Sequence, residues 1–502
     1  MEKKKISFPT AYTVLFLVAM FAALLTWVLP AGKFDTLAYN SSSKTFTETL
    51  ANGDQKDFPG TQETLDNFHI KAKIEKFKNG DIWKPVGIPN TYTEVEANPQ
   101  GIQQLFESPM KGVYDSMEII LFVLIIGGFI GVINSTGAFD SGIQALSVRL
   151  KGNEKWMIVF IVMLIAAGGT SFGLAEETIA FYPILVPVFL IAGYDAIVAL
   201  AAIYIGSALG TMASTTNPFA SIIASNAAGV NWTSGIEGRI VVLIVGSIIS
   251  MIYIIRYAEK VKKDPSKSLI FAQKEEIEKH FLHSSKNNVV RDFNFKTKLT
   301  LIIFLITFII MIYGVSKLKW WFLEMTTLFF VASIVIALVE RIGEKKYIVS
   351  FIDGAKDLLG VALIIGIARG VTFILENGLI SGTLLEYSSQ MVDGMNGAVF
   401  INVMMFLFSG LSFFVPSSSG LAVLSMPIMA PLADVVGIPR ELVVSAYQYG
   451  MGLMAFITPT GLILASLTMV NITYDKWLKF VMPLLGILIL LAMTVLTIEV
   501  YL

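Results

Sequence analysis

The sequence predicts an all-α polytopic membrane protein with two inverted repeats, each containing a re-entrant hairpin and a broken transmembrane helix. Three observations predict it: a low content of charged residues, apolar runs long enough to cross a bilayer, and an internal repeat. Of the 502 residues, 55% are hydrophobic and 15% are charged, whereas soluble domains carry about 25% charged residues. Runs of roughly 20 apolar residues match a hydrocarbon core about 30 Å thick.

Composition excludes several other classes of protein and site. The formal net charge is −1, which gives no indication of nucleic-acid binding. The chain has no cysteine, so disulfides and thiolate metal sites are excluded. The three histidines, His69, His280 and His283, lie in polar segments, and we therefore expect no histidine to form a metal or haem site within the membrane. No cofactor is expected beyond Na⁺ or H⁺ as a coupling ion.

Apolar and polar segments alternate in an order that divides the chain. The first apolar run is too long for the core of a signal peptide, so we interpret it as an uncleaved helix. The predicted segments are residues 1–31 (N-terminal transmembrane helix), 32–115 (extracytoplasmic polar segment), 116–257 (first inverted repeat), 258–297 (cytoplasmic linker), 298–355 (linking transmembrane helices) and 356–502 (second inverted repeat).

The distribution of basic residues predicts the orientation in a bacterial inner membrane. Cytoplasmic loops carry an excess of Lys and Arg, and Lys3–Lys5 therefore place the N-terminus in the cytoplasm. Residues 32–115 have a net charge of −3, and residues 256–298 have a net charge of +5. One path through the bilayer puts the first segment outside and the second inside. It requires 156–192 to be a re-entrant hairpin and 196–229 to be one broken crossing.

The internal repeat has several spaced landmarks. The stretch Pro183–Pro187 matches Pro427–Pro431, and glycines follow each stretch at the same distances, with an offset of 244 residues. In the predicted orientation the helix at 116–135 runs inward and its counterpart at 358–375 runs outward. The repeats are therefore inverted, which is typical of secondary transporters.

Polar, Gly- or Pro-rich stretches interrupt both repeats and predict the site. Such backbone cannot face lipid, so it lines a cavity inside the protein. There, half-helix N-termini attract anions, while unwound carbonyls and hydroxyls bind Na⁺. The four interruptions are Gly168–Thr178, Ser214–Pro218, Val415–Gly420 and Thr458–Gly461.

Three charged residues are predicted at membrane depth, where ionisable groups are costly and usually functional. Glu176 and Glu177 lie at the tip of the first hairpin, where a carboxylate binds a cationic substrate group, a proton or Na⁺. Arg369 lies within a helix and is suited to a substrate carboxylate. An internal ion pair with Glu376 or with a hairpin glutamate is the alternative for Arg369.

The residues Pro9–Thr13, Trp27–Gly32, Gly168–Thr178 and Pro416–Gly420 resemble those of the YfcC family. That family is grouped with the C4-dicarboxylate anaerobic carriers and the arginine/ornithine antiporters of the Ion Transporter superfamily. The resemblance implies a scaffold and a transport domain, an elevator-like motion, and a homodimer. It also implies substrate binding by Thr170, Ser171, Glu176, Glu177, Thr215, Thr216, Asn217, Ser417, Ser418, Ser419, Thr458 and Thr460.

The predicted function is a secondary transporter rather than an enzyme, since no histidine or pair of aspartates lies at membrane depth. The hairpin carboxylates favour a basic amino acid such as arginine, exchanged for ornithine. The alternatives are a Na⁺- or H⁺-coupled C4-dicarboxylate carrier and, from another class, a channel. Arg369 is included in the predicted substrate site. Sodium is predicted near Gly169, Ser214, Gly410 and Pro459.

Overall fold

The computed structural model describes residues 9–502 except 81, 83, 140, 143–152, 283–294, 319 and 393–394. His283, Lys3–Lys5 and part of the predicted linker 258–297 lie outside these residues. The protein is mostly helical, and in the described part nine helices are long and apolar enough to cross a membrane. They are Ala11–Val28, Met117–Asn134, Lys155–Phe172, Ile236–Lys263, Phe295–Val315, Phe322–Glu340, Leu359–Asn377, Gly397–Phe414 and Tyr474–Val500.

A small β-rich segment follows the first helix. Four antiparallel strands pair in the order β4-β3-β2-β5, and β1 pairs with β6. Phe46 and Leu37 are fully buried beneath the sheet, and Phe46 packs edge-on against Phe77. The prediction had left this polar region without secondary structure. The strands are β1 Gly32–Lys33, β2 Thr36–Asn40, β3 Thr45–Thr49, β4 Gln55–Pro59, β5 Val86–Gly87 and β6 Thr93–Glu94, with short helices at Gln62–Asn67 and Ile74–Lys78.

An amphipathic helix, Ile102–Asp115, connects this segment to the membrane helices. Gly112 lies directly on the backbone of Gly366 and Gly370, where a Cβ atom would overlap main-chain atoms. The helix therefore crosses Leu359–Asn377 in backbone contact. The following helix, Met117–Asn134, packs in the same way against Glu344–Asp357, because the ideal Cβ of Gly127 lies 2.5 Å from the carbonyl oxygen of Gly354.

The first half of the chain contains a hairpin and a broken helix. Hairpin 1 consists of Lys155–Phe172, a tip that continues as the 3-10 helix Glu176–Phe181, and Tyr182–Ile191. Broken helix 1 consists of Ala196–Met212, a break at 213–217, a π-helical turn at Pro218–Ile222, and Ile223–Ala228. The long helix Ile236–Lys263 ends this half.

The connecting region packs onto the rest of the protein. Short helical turns at Pro265–Lys267 and Phe271–Gln273 lead into Lys274–Leu282. Ile270 and Ile277 are buried, and the Oγ of Ser268 donates a hydrogen bond to Asp195 at 2.6 Å. The further helices are Phe295–Leu318, Phe322–Glu340 and Glu344–Asp357.

The second half repeats the order of the first. After Leu359–Asn377 and Ser381–Met391, hairpin 2 consists of Gly397–Phe414 and Ser418–Val435. Broken helix 2 consists of Arg440–Ala455, a break at 456–462, and Ile463–Met469, and Tyr474–Val500 follows it. This element order agrees with the predicted repeat. The inversion of the repeats and the orientation in the membrane stay predictions.

Candidate functional site

Hairpin 1 and the break of broken helix 1 are joined by close backbone packing. The ideal Cβ of Gly169 lies 2.8 Å from the carbonyl oxygen of Ser207, and a Cβ at Gly210 would overlap the carbonyl oxygen of Ala166. Gly173 ends the first arm with φ at 81°, a left-handed conformation that glycine adopts at little cost. These glycines let the hairpin tip reach the break.

Thr170 is the centre of the hydrogen bonds between tip and break. Its Oγ1 donates to the carbonyl of Ala213 at 3.1 Å and accepts from the amide of Thr215 at 3.0 Å. Its carbonyl accepts from the amides of Thr215 and Thr216, both at 3.1 Å. The amide nitrogen of Asn217 donates to the carbonyl of Gly169 at 3.5 Å. The structure therefore brings together the predicted residues Thr170, Thr215, Thr216 and Asn217.

Ser171 is adjacent to this network, but its hydroxyl is used locally. The Oγ atom donates to the carbonyl of Ala167, one turn earlier, at 2.6 Å. The carbonyl of Ser171 accepts the hydroxyl of Thr216 at 3.1 Å. The side chain of Ser171 is exposed, so its hydroxyl oxygen can accept a hydrogen bond from a ligand while its hydrogen is used within the helix.

The two glutamates at the tip of hairpin 1 differ in exposure. Glu177 is buried and accepts a hydrogen bond from the amide of Ala175 at 3.1 Å, whereas Glu176 is half-buried. No ion pair in the described part of the chain includes either carboxylate. The tip therefore holds two acidic groups without a basic side chain to neutralise them.

Arg369 forms an ion pair, but with a different partner from either predicted one. Its guanidinium binds Asp115, at the end of the amphipathic helix, rather than Glu376 or a hairpin glutamate. The pair is accessible to solvent on both sides. Asp115 thus neutralises the charge that was expected to meet a substrate carboxylate.

Hairpin 2 receives a basic side chain that the sequence analysis missed. Lys84, from the β-rich segment, donates to the Oγ of Ser417 at 3.5 Å. Ser417 also caps the second arm by accepting from the amide of Gly420 at 3.1 Å. Burial and the nearby charge of Arg369 lower the pKa of Lys84, and Glu376 acts in the opposite direction. A lone lysine in the apolar stretch Ile82–Val86 is the signal that points to it.

The remaining predicted residues lie on two separate elements. The hydroxyl of Tyr447 donates to the carbonyl of Ser418 at 2.6 Å, which fixes the tip of hairpin 2 against broken helix 2. In the break itself, the Oγ1 atoms of Thr458 and Thr460 lie 2.7 Å apart. No hydrogen bond found in the described residues joins Ser417, Ser418 or Ser419 to these threonines, so hairpin 2 is less closely joined to its break than hairpin 1.

The two broken helices meet near their breaks. Gly452 lies against Met212, where no Cβ atom fits, and the amide of Gln448 donates to the Oγ of Ser221 at 2.8 Å. Ser221 in turn donates to the carbonyl of Ser214 at 2.8 Å. The first break, at 213–217, therefore lies at the crossing of the two broken helices.

The predicted sodium positions have uneven surroundings. The carbonyl oxygens of Gly169 and Ser214 already accept hydrogen bonds from the protein. An added Cβ at Gly410 would meet no neighbouring atom within 4 Å. Within the residues that the structure describes, no group of three or more His, Asp or Glu side chains forms a metal site. Sodium near Gly169, Ser214, Gly410 and Pro459 stays a prediction.

Arg239 is a second residue that the sequence analysis missed. It is fully buried, and its guanidinium donates to the carbonyls of Trp232 and Ser234 at 2.7 Å and of Gly235 at 3.1 Å. These carbonyls belong to the turn that follows broken helix 1. Arg239 therefore fixes the far end of the helix whose break contacts hairpin 1.

Comparison with known proteins gives consistent matches over the whole chain. The family model described as DcuC, C4-dicarboxylate anaerobic carrier, matches residues 8–501. An uncharacterized protein of Haemophilus influenzae is 46% identical over 499 residues, which cover 99% of this chain and 98% of the relative. YfcC of Escherichia coli, whose name provisionally describes a basic amino acid antiporter, is 30% identical over 97% of this chain and 95% of its own.

Two solved structures of transporters also align with the chain. YdaH of Alcanivorax borkumensis aligns with a TM-score of 0.38 and 13% identity over 98% of each chain. MtrF of Neisseria gonorrhoeae, whose structure is described as illuminating a class of antimetabolite efflux pumps, aligns with a TM-score of 0.39 and 14% identity over 99% and 96%.

Proposed function

We propose that this protein exchanges a basic amino acid across the membrane. The premise is that the chain belongs to the DcuC family of C4-dicarboxylate anaerobic carriers. The family, together with the nine apolar helices found in the described part of the chain, makes it a multi-pass membrane transporter and not an enzyme. Arginine exchanged for ornithine or a related amine is the proposed reaction.

The pair of unneutralised carboxylates at the tip of hairpin 1 carries the proposal. Ionised groups at membrane depth are costly unless a counter-ion accompanies them. Within the described chain no basic side chain pairs with Glu176 or Glu177, so the counter-ion comes from outside the protein. A guanidinium or ammonium group of the substrate supplies it, and the name of the relative YfcC is consistent with this substrate class.

The packing supports an elevator-like motion of one body against another. Hairpin 1 and broken helix 1 share backbone contacts at Gly169 and Gly210, so they move as one unit. Helices Met117–Asn134 and Glu344–Asp357 are in backbone contact at Gly127 and Gly354 and form part of the opposing unit. Substrate held between tip and break then crosses the membrane with the first unit.

The test is exchange in proteoliposomes loaded with ornithine. We expect uptake of labelled arginine, and a fall of about tenfold or more in Glu177→Gln or Glu176→Gln, since losing a hydrogen bond to a charged group has about this effect. Glu118→Gln is the matched control, because Glu118 is exposed at the start of its helix. Unchanged arginine exchange in both tip variants contradicts the proposal.

A C4-dicarboxylate is the second candidate substrate, and Lys84 is the observation that favours it. This lysine meets Ser417 at the N-terminus of an 18-residue helix arm, where anions are stabilised. The family description also names this substrate class. If labelled succinate but not arginine is taken up, and succinate uptake is lost in Lys84→Ala, the substrate is a C4-dicarboxylate instead.

Coupling ion, assembly and orientation are part of the same proposal. Imposed Na⁺ or H⁺ gradients in the same vesicles test whether either ion is coupled to transport. The proposed Na⁺ positions are near Gly169, Ser214, Gly410 and Pro459. Light scattering of the purified protein tests the homodimer. A protease-cleavable N-terminal tag, protected in right-side-out vesicles of the bacterial inner membrane, tests the cytoplasmic N-terminus.

A further inference from the structure

A pocket of about 360 Å³ lies away from the hairpin tips. The second arm of hairpin 1, broken helix 2 and the helices Met117–Asn134, Lys274–Leu282 and Glu344–Asp357 all contribute to its wall. None of the substrate residues predicted from the sequence lines it. Its polar lining residues are Asn134, His280, Asp357, Thr468 and Asn471.

Three helices end at this pocket. Asn134 and Asp357 are the last residues of their helices, and Thr468 is in the last turn of Ile463–Met469. A helix C-terminus carries a partial negative charge, which favours cations and disfavours an aspartate. Asp357 also lies two residues before the start of Leu359–Asn377, whose N-terminal partial charge is positive. A cation in the pocket is therefore favoured by the C-termini at Asn134 and Met469 and by the carboxylate of Asp357.

Hydrogen-bond acceptors predominate in the lining. Pro187 has no N–H group, so the carbonyl of Pro183 lacks its usual helical donor, and both prolines line the pocket. The amide of Asn471 already donates to Glu276 at 3.1 Å. The pocket thus offers several acceptors to a ligand that carries donors.

No ion pair in the described part of the chain includes Asp357, and His280 is the basic residue that lines the pocket with it. The neighbouring Lys356 binds Asp353 instead, at 3.1 Å. Partial burial raises the pKa of Asp357, while His280 lowers it and Asp353 raises it. The imidazole of His280 is thus the nearby basic group that acts on this carboxylate.

We propose that this pocket binds a small organic cation, an ammonium or guanidinium compound, with Asp357 as its counter-ion. The proposal deepens the proposed function, because it takes the cation to be the transported substrate held at a second position beside hairpin 1. In the proposed orientation this position faces the cytoplasm, since the Lys274–Leu282 helix forms one wall.

The absence of cysteine from the chain permits a binding test that does not depend on transport. Thr468→Cys places one thiol in the pocket, and its modification by N-ethylmaleimide is followed in the purified full-length protein. We expect arginine to slow the modification and succinate to have no effect. In Asp357→Asn, the arginine concentration that halves the rate of modification should rise by about tenfold or more. In Asp357→Glu, this concentration should return part of the way to that of the background protein.

Two controls separate this pocket from the hairpin site. Asp353→Asn lies one turn earlier on the same helix and leaves protection unchanged. Glu177→Gln and Glu176→Gln also leave protection unchanged, although at least one of them lowers exchange by about tenfold or more if the proposed function is correct. Equal protection in Asp357→Asn and the unmodified background, loss of protection in the tip variants, or no protection at all overturns the inference. Full exchange activity in both tip variants contradicts the proposed function alone.

Discussion

Replacing Thr170 with valine tests how hairpin 1 is held against broken helix 1. The change keeps the side-chain shape of Thr170, a residue that is 8% exposed, and removes a hydroxyl that is bonded to Ala213 and Thr215. Within membranes such bonds contribute about 0.6 kcal/mol on average, with a maximum of about 1.7. The valine variant also leaves the carbonyl of Ala213 without this donor. The sum is about 1–2 kcal/mol, or a factor of about 5–30 in the equilibrium between docked and undocked tip.

Hydrogen exchange measures this equilibrium directly, because the amides of Thr215 and Thr216 are bonded to the carbonyl of Thr170. Hydrogen exchange at these amides, measured in a peptide that contains both, should be faster by the same factor of about 5–30 in Thr170→Val. Ser171→Ala is the matched control, since its hydroxyl bonds only within its own helix, and it should leave the exchange rate unchanged. Equal acceleration in the two variants, or none in either, refutes the reasoning.

Two further variants test residues that the sequence analysis missed. Arg239→Met should lower the free energy of unfolding by about 3 kcal/mol, since three partly buried carbonyls lose a charged donor. Arg239→Lys should recover only part of this loss in the same denaturation assay. An unchanged free energy of unfolding in Arg239→Met contradicts the assigned role. Burial lowers the pKa of Lys84 in the folded protein. As pH approaches the ordinary lysine value of 10.5, the unfolded chain therefore binds more protons than the folded one. The free energy of unfolding should then rise with pH in this range, compared with that of Lys84→Gln. Parallel stability–pH curves for the two proteins rule out this contribution.

The hairpins and breaks could be predicted because local chemistry determines them. Glycine and proline occur together with polar residues at the interruptions of the apolar runs, and the sequence prediction of a hairpin at 156–192 matches helices that span Lys155–Ile191. The predicted broken crossing at 196–229 likewise matches Ala196–Ala228. These features depend on the backbone properties of the residues themselves and need no knowledge of distant contacts.

Ion-pair partners could not be predicted in this way. Arg369 pairs with Asp115, 254 residues earlier in the chain, and nothing in the local sequence of either residue specifies the other. Arg239 directly precedes an apolar run in the sequence, and its bonds to backbone carbonyls leave no pattern in the side chains. The strands at 36–59 were missed for a related reason, since only some of their positions are buried against the core.

The two halves share an order of elements, but their hairpin tips differ in charge, and this difference bears on the substrate. Hairpin 1 ends in two carboxylates and is joined to its break by hydrogen bonds. Hairpin 2 ends in serines and receives Lys84 from the β-rich segment. A basic amino acid carries both a cation and a carboxylate, so under the proposed function each tip has a charge that complements one of its groups, whereas a dicarboxylate complements only the second tip. The β-rich segment thus places one basic side chain at a tip that has no charged residue of its own.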